Sequence, residues 1–332
     1  GVLASIDFES IDWPSLDGEN IRTDLPKGII LKPPVSPREK GVIYLTFENQ
    51  WIRLIRTGLA ERIAQDYDLV LGPSFSPPPE VALLLMLRFW PGKIYTLLSN
   101  RADGEIFKAI SPRLLPIPLL SSSWVDPAPF VPWLGSEKQY DIVMLANFAL
   151  FKRHWHFFDV LRKLPQTTRA LLLGVPLDGR TEEDLRAEAR LFGVEDQCSI
   201  VVRPSRDEIM SGLASAKISL IFSIREGGCI AVAESLFANT PVGLLNHARI
   251  GSSAFINDQT GRMLSPRRLP EQLLQFLENA NSYRPRAWAE SNISCHRSTE
   301  ILNAHLRSHA EEQGRDYVAL PSSTVRVLDV PG

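Results

Sequence analysis

The sequence predicts an α/β protein built from two doubly wound domains. Short apolar and β-branched runs alternate with helix-period segments along most of the chain, which is the pattern of parallel β-α-β units. Its 332 residues suit two domains of ordinary size better than one. A stretch with three prolines, Ser121 to Pro132, separates the two alternating series.

The first forty residues hold Pro14, Pro26, Pro33, Pro34 and Pro37 and read as irregular, with one short strand at Gly28 to Leu31. Gly41 to Phe47 reads as a buried strand. A helix is expected over Gln50 to Gln65, with Ile52, Ile55, Leu59 and Ile63 on one face. Asp68 to Leu71 is a strand stopped by Gly72-Pro73. Pro79 to Phe89 is a helix with proline near its first turn, and Lys93 to Leu98 is a strand.

Beyond the linker, strands are expected at Tyr140 to Leu145, Arg169 to Leu173, Cys198 to Val202, Ile218 to Phe222 and Val242 to Leu245. Helices are expected at Lys152 to Lys163, Glu182 to Phe192, Arg206 to Ala214 and 228–238, then near 268–279, 283–292 and 298–313. Ser205 and Glu208 have the spacing of a capping box, each satisfying an orphan N–H of the other's turn. The expected division is an N-terminal α/β domain over 1–132, a C-terminal α/β domain over 133–295, and a helix and tail over 296–332 that pack back on the first domain.

Composition narrows the function classes. A net charge of −2 argues against a nucleic-acid partner. Cys198, Cys229 and Cys295 are three and widely spaced, which suggests a reducing compartment, no disulfide framework and no zinc-ligand pair of cysteines. No apolar run reaches the roughly 20 residues of a membrane span, and the visible N-terminus lacks a basic-then-apolar leader. The expected location is cytoplasmic. Peripheral membrane contact stays open, because Leu83 to Leu87 is an apolar run that fits either a core or a lipid-facing surface.

The chemistry concentrates in one segment. Ile218 to Phe222 leads into Ser223-Ile224-Arg225-Glu226-Gly227-Gly228-Cys229-Ile230, then an apolar helix carrying Glu234 and the turn Asn239-Thr240-Pro241-Val242. A strand, a glycine turn and a helix N-terminus leave backbone N–H groups free to hold a phosphate. Asn239 suits a left-handed helix end, with proline stopping the helix. The bland alternatives are a helix-start carboxylate for Glu226 and a solvated one for Glu234. Cys229 at a helix start is expected to have a lowered pKa. His154 and His156 are two apart and do not face one another on a helix, which argues against a metal.

These motifs resemble the retaining GT-B glycosyltransferases, in particular glycosyltransferase group 1 (family 4). The resemblance rests on Glu226 and Glu234 with seven residues between them, on Thr240-Pro241-Val242, and on the turn Asp258-Gln259-Thr260-Gly261. It extends to Leu145 through His154, where Lys152 stands at the family's diphosphate-contacting lysine. Asn147 replaces the family's arginine, Arg153 a glycine, and Asn239 a second glycine. The match covers about 138–280 well and the reduced N-terminal domain only in outline.

The resemblance implies two Rossmann-like domains facing a cleft, and a hexosyltransferase-type enzyme moving a sugar from a nucleotide-diphosphate-sugar to an acceptor hydroxyl with retention. It implies Glu226 against the donor sugar, Glu234 on the ribose, and the backbone of Gly227, Gly228, Cys229 and Ile230 on the diphosphate. Lys152 neutralises leaving-group charge, while Asn147, Arg153, Ser223 and Arg225 flank the donor pocket. No metal or cofactor is required, since the helix dipole and Lys152 do that charge work. The acceptor is a glycan, a lipid-linked molecule or a small molecule, as in polysaccharide biosynthesis. Glu48, Asn49, Ser74 and Asn100 end strands on the acceptor side, with Asn49 equally readable as a helix cap. A non-catalytic nucleotide-sugar-binding scaffold and, less favoured, a nucleotide-sugar epimerase are the alternative readings.

Overall fold

A computed structural model describes residues 28–56, 58–73, 80–135, 137–320 and 326–327. The chain divides into two compact units. The first holds the described residues up to Ser121 and from Thr299 onward; the second spans Ser122–Ser298.

The first unit contains β1 (Ile29–Lys32), β2 (Gly41–Thr46), α1 (Glu48–Arg56), α2 (Ala60–Asp66), β3 (Tyr67–Gly72), α3 (Val81–Phe89), β4 (Ile94–Leu98), α4 (Asp103–Ile110) and β5 (Leu114–Leu120). The single helix expected over Gln50 to Gln65 is two helices. Gly58 lies between them at φ +66°, a left-handed conformation that glycine adopts without steric cost. The strand β5 was not expected, because Pro116 and Pro118 interrupt its apolar pattern. It is the edge strand, where a missing N–H costs least. Leu83, Leu85, Met86 and Leu87 are buried in α3, so the apolar run considered for a membrane face is core. Residues 1–27, with Pro14 and Pro26, lie outside the described residues, as do Ser74 and Pro79.

The second unit contains β6 (Tyr140–Leu145), α5 (His154–Leu161), β7 (Ala170–Gly174), α6 (Glu182–Phe192), β8 (Cys198–Val202), α7 (Arg206–Ala214), β9 (Ala216–Ile221), β10 (Arg225–Glu226), α8 (Ile230–Phe237), β11 (Val242–Leu245), β12 (Arg249–Ile250), β13 (Gly261–Leu264), α9 (Leu269–Glu278) and α10 (Pro285–Asn292). Next, α11 (Cys295–Glu312) carries the chain into the first unit, where β14 (Arg326–Val327) pairs antiparallel with β1. No described helix is long and apolar enough to cross a membrane.

The large sheet of the second unit is parallel throughout, in the order β13-β11-β9-β6-β7-β8. The chain starts in the middle at β6, builds outward through β7 and β8, then returns to β9 and builds the other way. Opposite progressions place helices on opposite faces. Phe157, Phe158, Leu185 and Phe276 from α5, α6 and α9 share one buried cluster with Leu172 and Ile218. On the other face, Ser235 of α8 donates a hydrogen bond to Ser219 at 2.9 Å, and Gly212 of α7 lies against Leu171 and Leu173. The capping box forms, with Ser205 N–H donating to Glu208 and Glu208 N–H to Ser205 Oγ.

The first unit's sheet runs β14-β1-β2-β3-β4-β5, with β2 to β5 parallel. Its strand order advances one step at a time, with no reversal among the described strands. The returning chain closes this unit: the Tyr95 hydroxyl hydrogen-bonds His309, and Arg315 forms a bidentate pair with Asp68 at 3.0 Å.

Candidate active site

A parallel sheet opens a crevice at its strand C-termini wherever neighbouring connections depart to opposite faces. In the second unit that point lies between β6 and β9. The loop after β6 carries Asn147, Lys152 and Arg153; the loop after β9 carries Ser223, Arg225, Glu226 and the glycine pair. Sheet topology therefore brings together the two segments singled out from sequence.

The first loop stays sheet-like past β6, since Ala146 and Phe148 donate backbone hydrogen bonds to Leu173 and Val175 at 2.9 Å. Gly174 makes this approach feasible, because a Cβ there would lie 2.0 Å from the Ala146 carbonyl oxygen. Leu150–Lys152 is a 3-10 turn, and α5 begins only at His154, so Lys152 and Arg153 precede the helix expected to contain them. Arg153 links the two pieces at φ +60°. This left-handed position explains the glycine of the family motif and is uncommon for a residue with a side chain. The Arg153 guanidinium lies 5.0 Å from the Trp155 ring and donates to the Phe222 carbonyl at 3.5 Å. Asn147 Oδ1 accepts the Ala149 N–H at 3.2 Å, so it braces its own loop.

The second loop is held by a two-residue parallel ribbon, β10 with β12, pairing Arg225 with Arg249 and Glu226 with Ile250. The Gly227 carbonyl accepts the Gly251 N–H at 2.8 Å. Cys229 turns the chain into α8 at φ +42°, and the helix starts at Ile230, two residues later than expected. Burial and the Glu226 carboxylate push the Cys229 thiol up. This corrects the expected lowering: desolvation outweighs the helix start. At the far end of α8, Asn239 sits at φ +59°, the left-handed end its residue type suggested.

The two loops meet in an ion pair. Lys152 Nζ lies 2.7 Å from Glu226 Oε2, each side chain 12% exposed. The other carboxylate oxygen, Oε1, is buried without a hydrogen-bond partner, as is Ser223 Oγ. Buried polar groups are normally paired, so the unfilled carboxylate oxygen of the ion pair, on a residue that lines the cavity, is free to accept a donor. The Glu234 side chain, seated on α8, makes no hydrogen bond or ion pair among the described residues. Burial pushes its carboxyl up, against the opposing pull of Arg206.

Asn147, Lys152, Glu226, Cys229, Ile230 and Glu234 line one cavity of about 300 Å³. Gly227, Gly228, Arg153, Ser223 and Arg225 are not among its lining residues. Gly227 and Ser223 are buried, Gly228 and Arg153 half-buried, and Arg225 exposed. The cavity is completed by Gly174, Val175, Pro204 and Ile209, which sequence reasoning missed. Their signal was position: Gly174, Val175 and Pro204 follow the predicted strands Arg169 to Leu173 and Cys198 to Val202. His154 is buried, with its imidazole pushed down to about 3 by burial, Arg180 and Lys152. His247 lies in an exposed turn after β11.

The acceptor-side candidates lie in the first unit. Glu48 and Asn49 are the first two residues of α1, so Asn49 is not its cap; the Asn49 Oδ1 atom is buried without a partner. Glu48 borders a small cavity of about 10 Å³ with Trp51, Pro73 and Thr96. Asn100 is a turn former, accepting the Ala102 N–H at 3.1 Å. Ser74 lies outside the described residues.

Residues 131–291 match the family model described as glycosyl transferases group 1. No curated protein matches the chain. Among solved structures, the chain is similar to HepE from Anabaena in complex with UDP, at 16% identity and a TM-score of 0.64, covering 82% of this chain and 79% of that one. It is also similar to sucrose-phosphate synthase from Thermosynechococcus elongatus, at 13% identity and 0.62, covering 82% and 74%. TarM from S. aureus, in complex with fondaparinux, alpha-GlcNAc-glycerol and UDP, matches at 12% identity and 0.57, covering 73% of this chain and 50% of that one. These likenesses establish the α/β GT-B fold with parallel sheets. The likeness to group 1 glycosyl transferases extends over residues 131–291, wholly within the second unit, Ser122–Ser298.

Proposed function

We propose that this chain is a retaining, hexosyltransferase-type group 1 glycosyltransferase, moving a sugar from a nucleotide-diphosphate-sugar to an acceptor hydroxyl. The observation that carries the proposal is the Lys152–Glu226 pair at the switch point, with Glu226 Oε1 unfilled, lining one cavity with Glu234 and with Ile230 at the start of α8.

The roles follow from charge and position. An incoming diphosphate competes with Glu226 for the Lys152 ammonium and gains the backbone N–H groups of Gly228, Cys229 and Ile230. Glu226, released from its lysine, accepts hydrogen bonds from the donor sugar's hydroxyls. Glu234 accepts from the ribose diol, and Val175, Pro204 and Ile209 supply apolar surface for the base. Ser223 and Arg225 flank the sugar end. As the bond from the anomeric carbon to the diphosphate oxygen breaks, Lys152 and the helix dipole take up the developing charge. The acceptor oxygen bonds that carbon on the face the diphosphate leaves, and its proton passes to a diphosphate oxygen. In this scheme Glu226 positions the sugar, and no metal step is needed.

HepE holds UDP in its structure, which makes UDP-sugars the first donors to test. The acceptor is a glycan, a lipid-linked molecule or a small molecule, and a cytoplasmic role in polysaccharide assembly fits this reading. Asn147 favours one second reading, a donor-binding scaffold without turnover, because it brings no charge where the family motif has a cation. Calorimetry with UDP- and GDP-sugars, run beside transfer assays over an acceptor panel, tests both. Binding with transfer supports the enzyme, binding without transfer supports the scaffold, and no binding to any donor overturns the site.

A further inference from the structure

A second cluster of reactive side chains lies outside the donor cavity, where the two ends of the second unit meet. An isolated parallel bridge joins Val125 to Ser294, the Cys295 N–H donates to the Val125 carbonyl at 3.0 Å, and Ser298 Oγ donates to the Ser123 carbonyl. This backbone clasp sets Asp126 beside the start of α11. The ligand atoms of Asp126, Cys295 and His296 lie within 4.8 Å of one another. One Asp126 oxygen, Oδ1, accepts the Ala128 N–H at 2.9 Å, which orients the carboxylate. None of the three residues lines the donor cavity.

We propose that Asp126, Cys295 and His296 bind one zinc-class divalent ion, with solvent in the fourth position. Tetrahedral zinc bonds of about 2.0–2.3 Å place neighbouring ligand atoms about 3.5 Å apart, so small side-chain rotations close the site. Sulfur, imidazole and a single carboxylate select zinc or cobalt over magnesium or calcium, which require oxygen. Thiolate and carboxylate together balance the ion's two charges, which offsets its approach to the positive end of α11. The ion ties together the first and last segments of a long chain excursion, the placement at which a clip removes most freedom from the unfolded chain. This inference is independent of the proposed transfer reaction.

The test uses the untagged full chain, stripped with a chelator and titrated with Co(II), then with Zn(II) in competition. One equivalent of Co(II) should bind and give a thiolate-to-cobalt charge-transfer absorption. That band should vanish in Cys295→Ser, stay in Cys198→Ser, and need about tenfold more metal or beyond in His296→Ala and Asp126→Asn. Apo melting temperatures show whether each variant folds. The proposal is overturned if the wild type shows no thiolate band, if Cys198→Ser rather than Cys295→Ser removes it, or if His296→Ala and Asp126→Asn bind as the wild type does.

Discussion

The two large sheets of this protein each contain a run of parallel strands but differ in strand order. In the first unit, β2 to β5 follow one another across the sheet; in the second, the chain reverses direction between β8 and β9. Only the reversal separates neighbouring loops enough to form a crevice at the strand ends. The second unit accordingly holds a cavity of about 300 Å³ lined by four ionisable side chains, Lys152, Glu226, Cys229 and Glu234, besides Asn147, whereas the cavity bordered by Glu48 in the first measures about 10 Å³. Similar secondary structure thus accompanies a cavity of about 300 Å³ at the switch point in one unit and one of about 10 Å³ beside Glu48 in the other.

Four experiments probe this contrast, beginning with the largest expected effect. Lys152→Ala and Glu226→Gln should each lower transfer by about 10²–10³-fold, while a Glu48→Gln change in the first unit lowers it far less. Equal losses at Glu48 and Glu226 would remove the privilege of the switch point. Lys152→Ala should also cost roughly 1–3 kcal/mol in denaturant unfolding. This is below the about 3–5 of a fully buried broken pair, because the cavity admits water. Next, Gly174→Ala forces a methyl group against the Ala146 carbonyl and should destabilise the second unit by about 3 kcal/mol. A melting temperature within a degree of wild type would show that the β6 and β7 loops do not hold each other.

The third experiment is acid titration. His154 is held at about 3 in the folded protein against an ordinary value of 6.5, so the unfolded chain takes up a proton first as pH falls. Stability from this residue is complete above pH 6.5 and drains away between 6.5 and about 3, with about 2 kcal/mol lost by pH 5. Hydrogen exchange in β6 to β9 should show the loss and His154→Gln should flatten it, whereas β2 to β4 keep the wild-type slope, set partly by buried His309. An unchanged slope in β6 to β9 of the variant contradicts the assignment. The smallest effect is at Asn239, whose φ of +59° tolerates asparagine better than alanine. Asn239→Ala should cost about 1 kcal/mol by urea unfolding, and no change would mean that the end of α8 relaxes freely.

Local chemistry made much of this legible in the sequence. The capping box at Ser205 and Glu208, the left-handed Asn239, and the strands around Ile142, Ile218 and Val242 all announce themselves within a few residues. Pro116 and Pro118 hid β5, because a proline pattern that excludes a central strand is compatible with an edge. Gly58 was read as part of a helix when it divides two. In the site, Lys152, Glu226 and Glu234 were legible as residue types, but only the family resemblance, and no local pattern, put them in one pocket. Their meeting depends on β6 lying beside β9, a property of the whole sheet. Val175, Pro204 and Ile209 carry no motif and became visible only as the far wall of the cavity. The Cys229 thiol was misjudged because burial is a tertiary quantity, and the helix start that suggested a lowered value is a local one.

The Lys152–Glu226 pair has a further consequence when it is treated as an exchange reaction. The Lys152–Glu226 pair is already neutral, so a ligand that takes Lys152 must break one ion pair to form another. A bare nucleoside diphosphate captures Lys152 and strands the Glu226 carboxylate in a confined space with nothing to replace its cation. An intact nucleotide-sugar brings hydroxyls to that same carboxylate and repays the loss. Under the proposed reaction the pocket therefore favours the loaded carrier over the spent one, and Lys152 returning to its glutamate helps to expel the spent carrier.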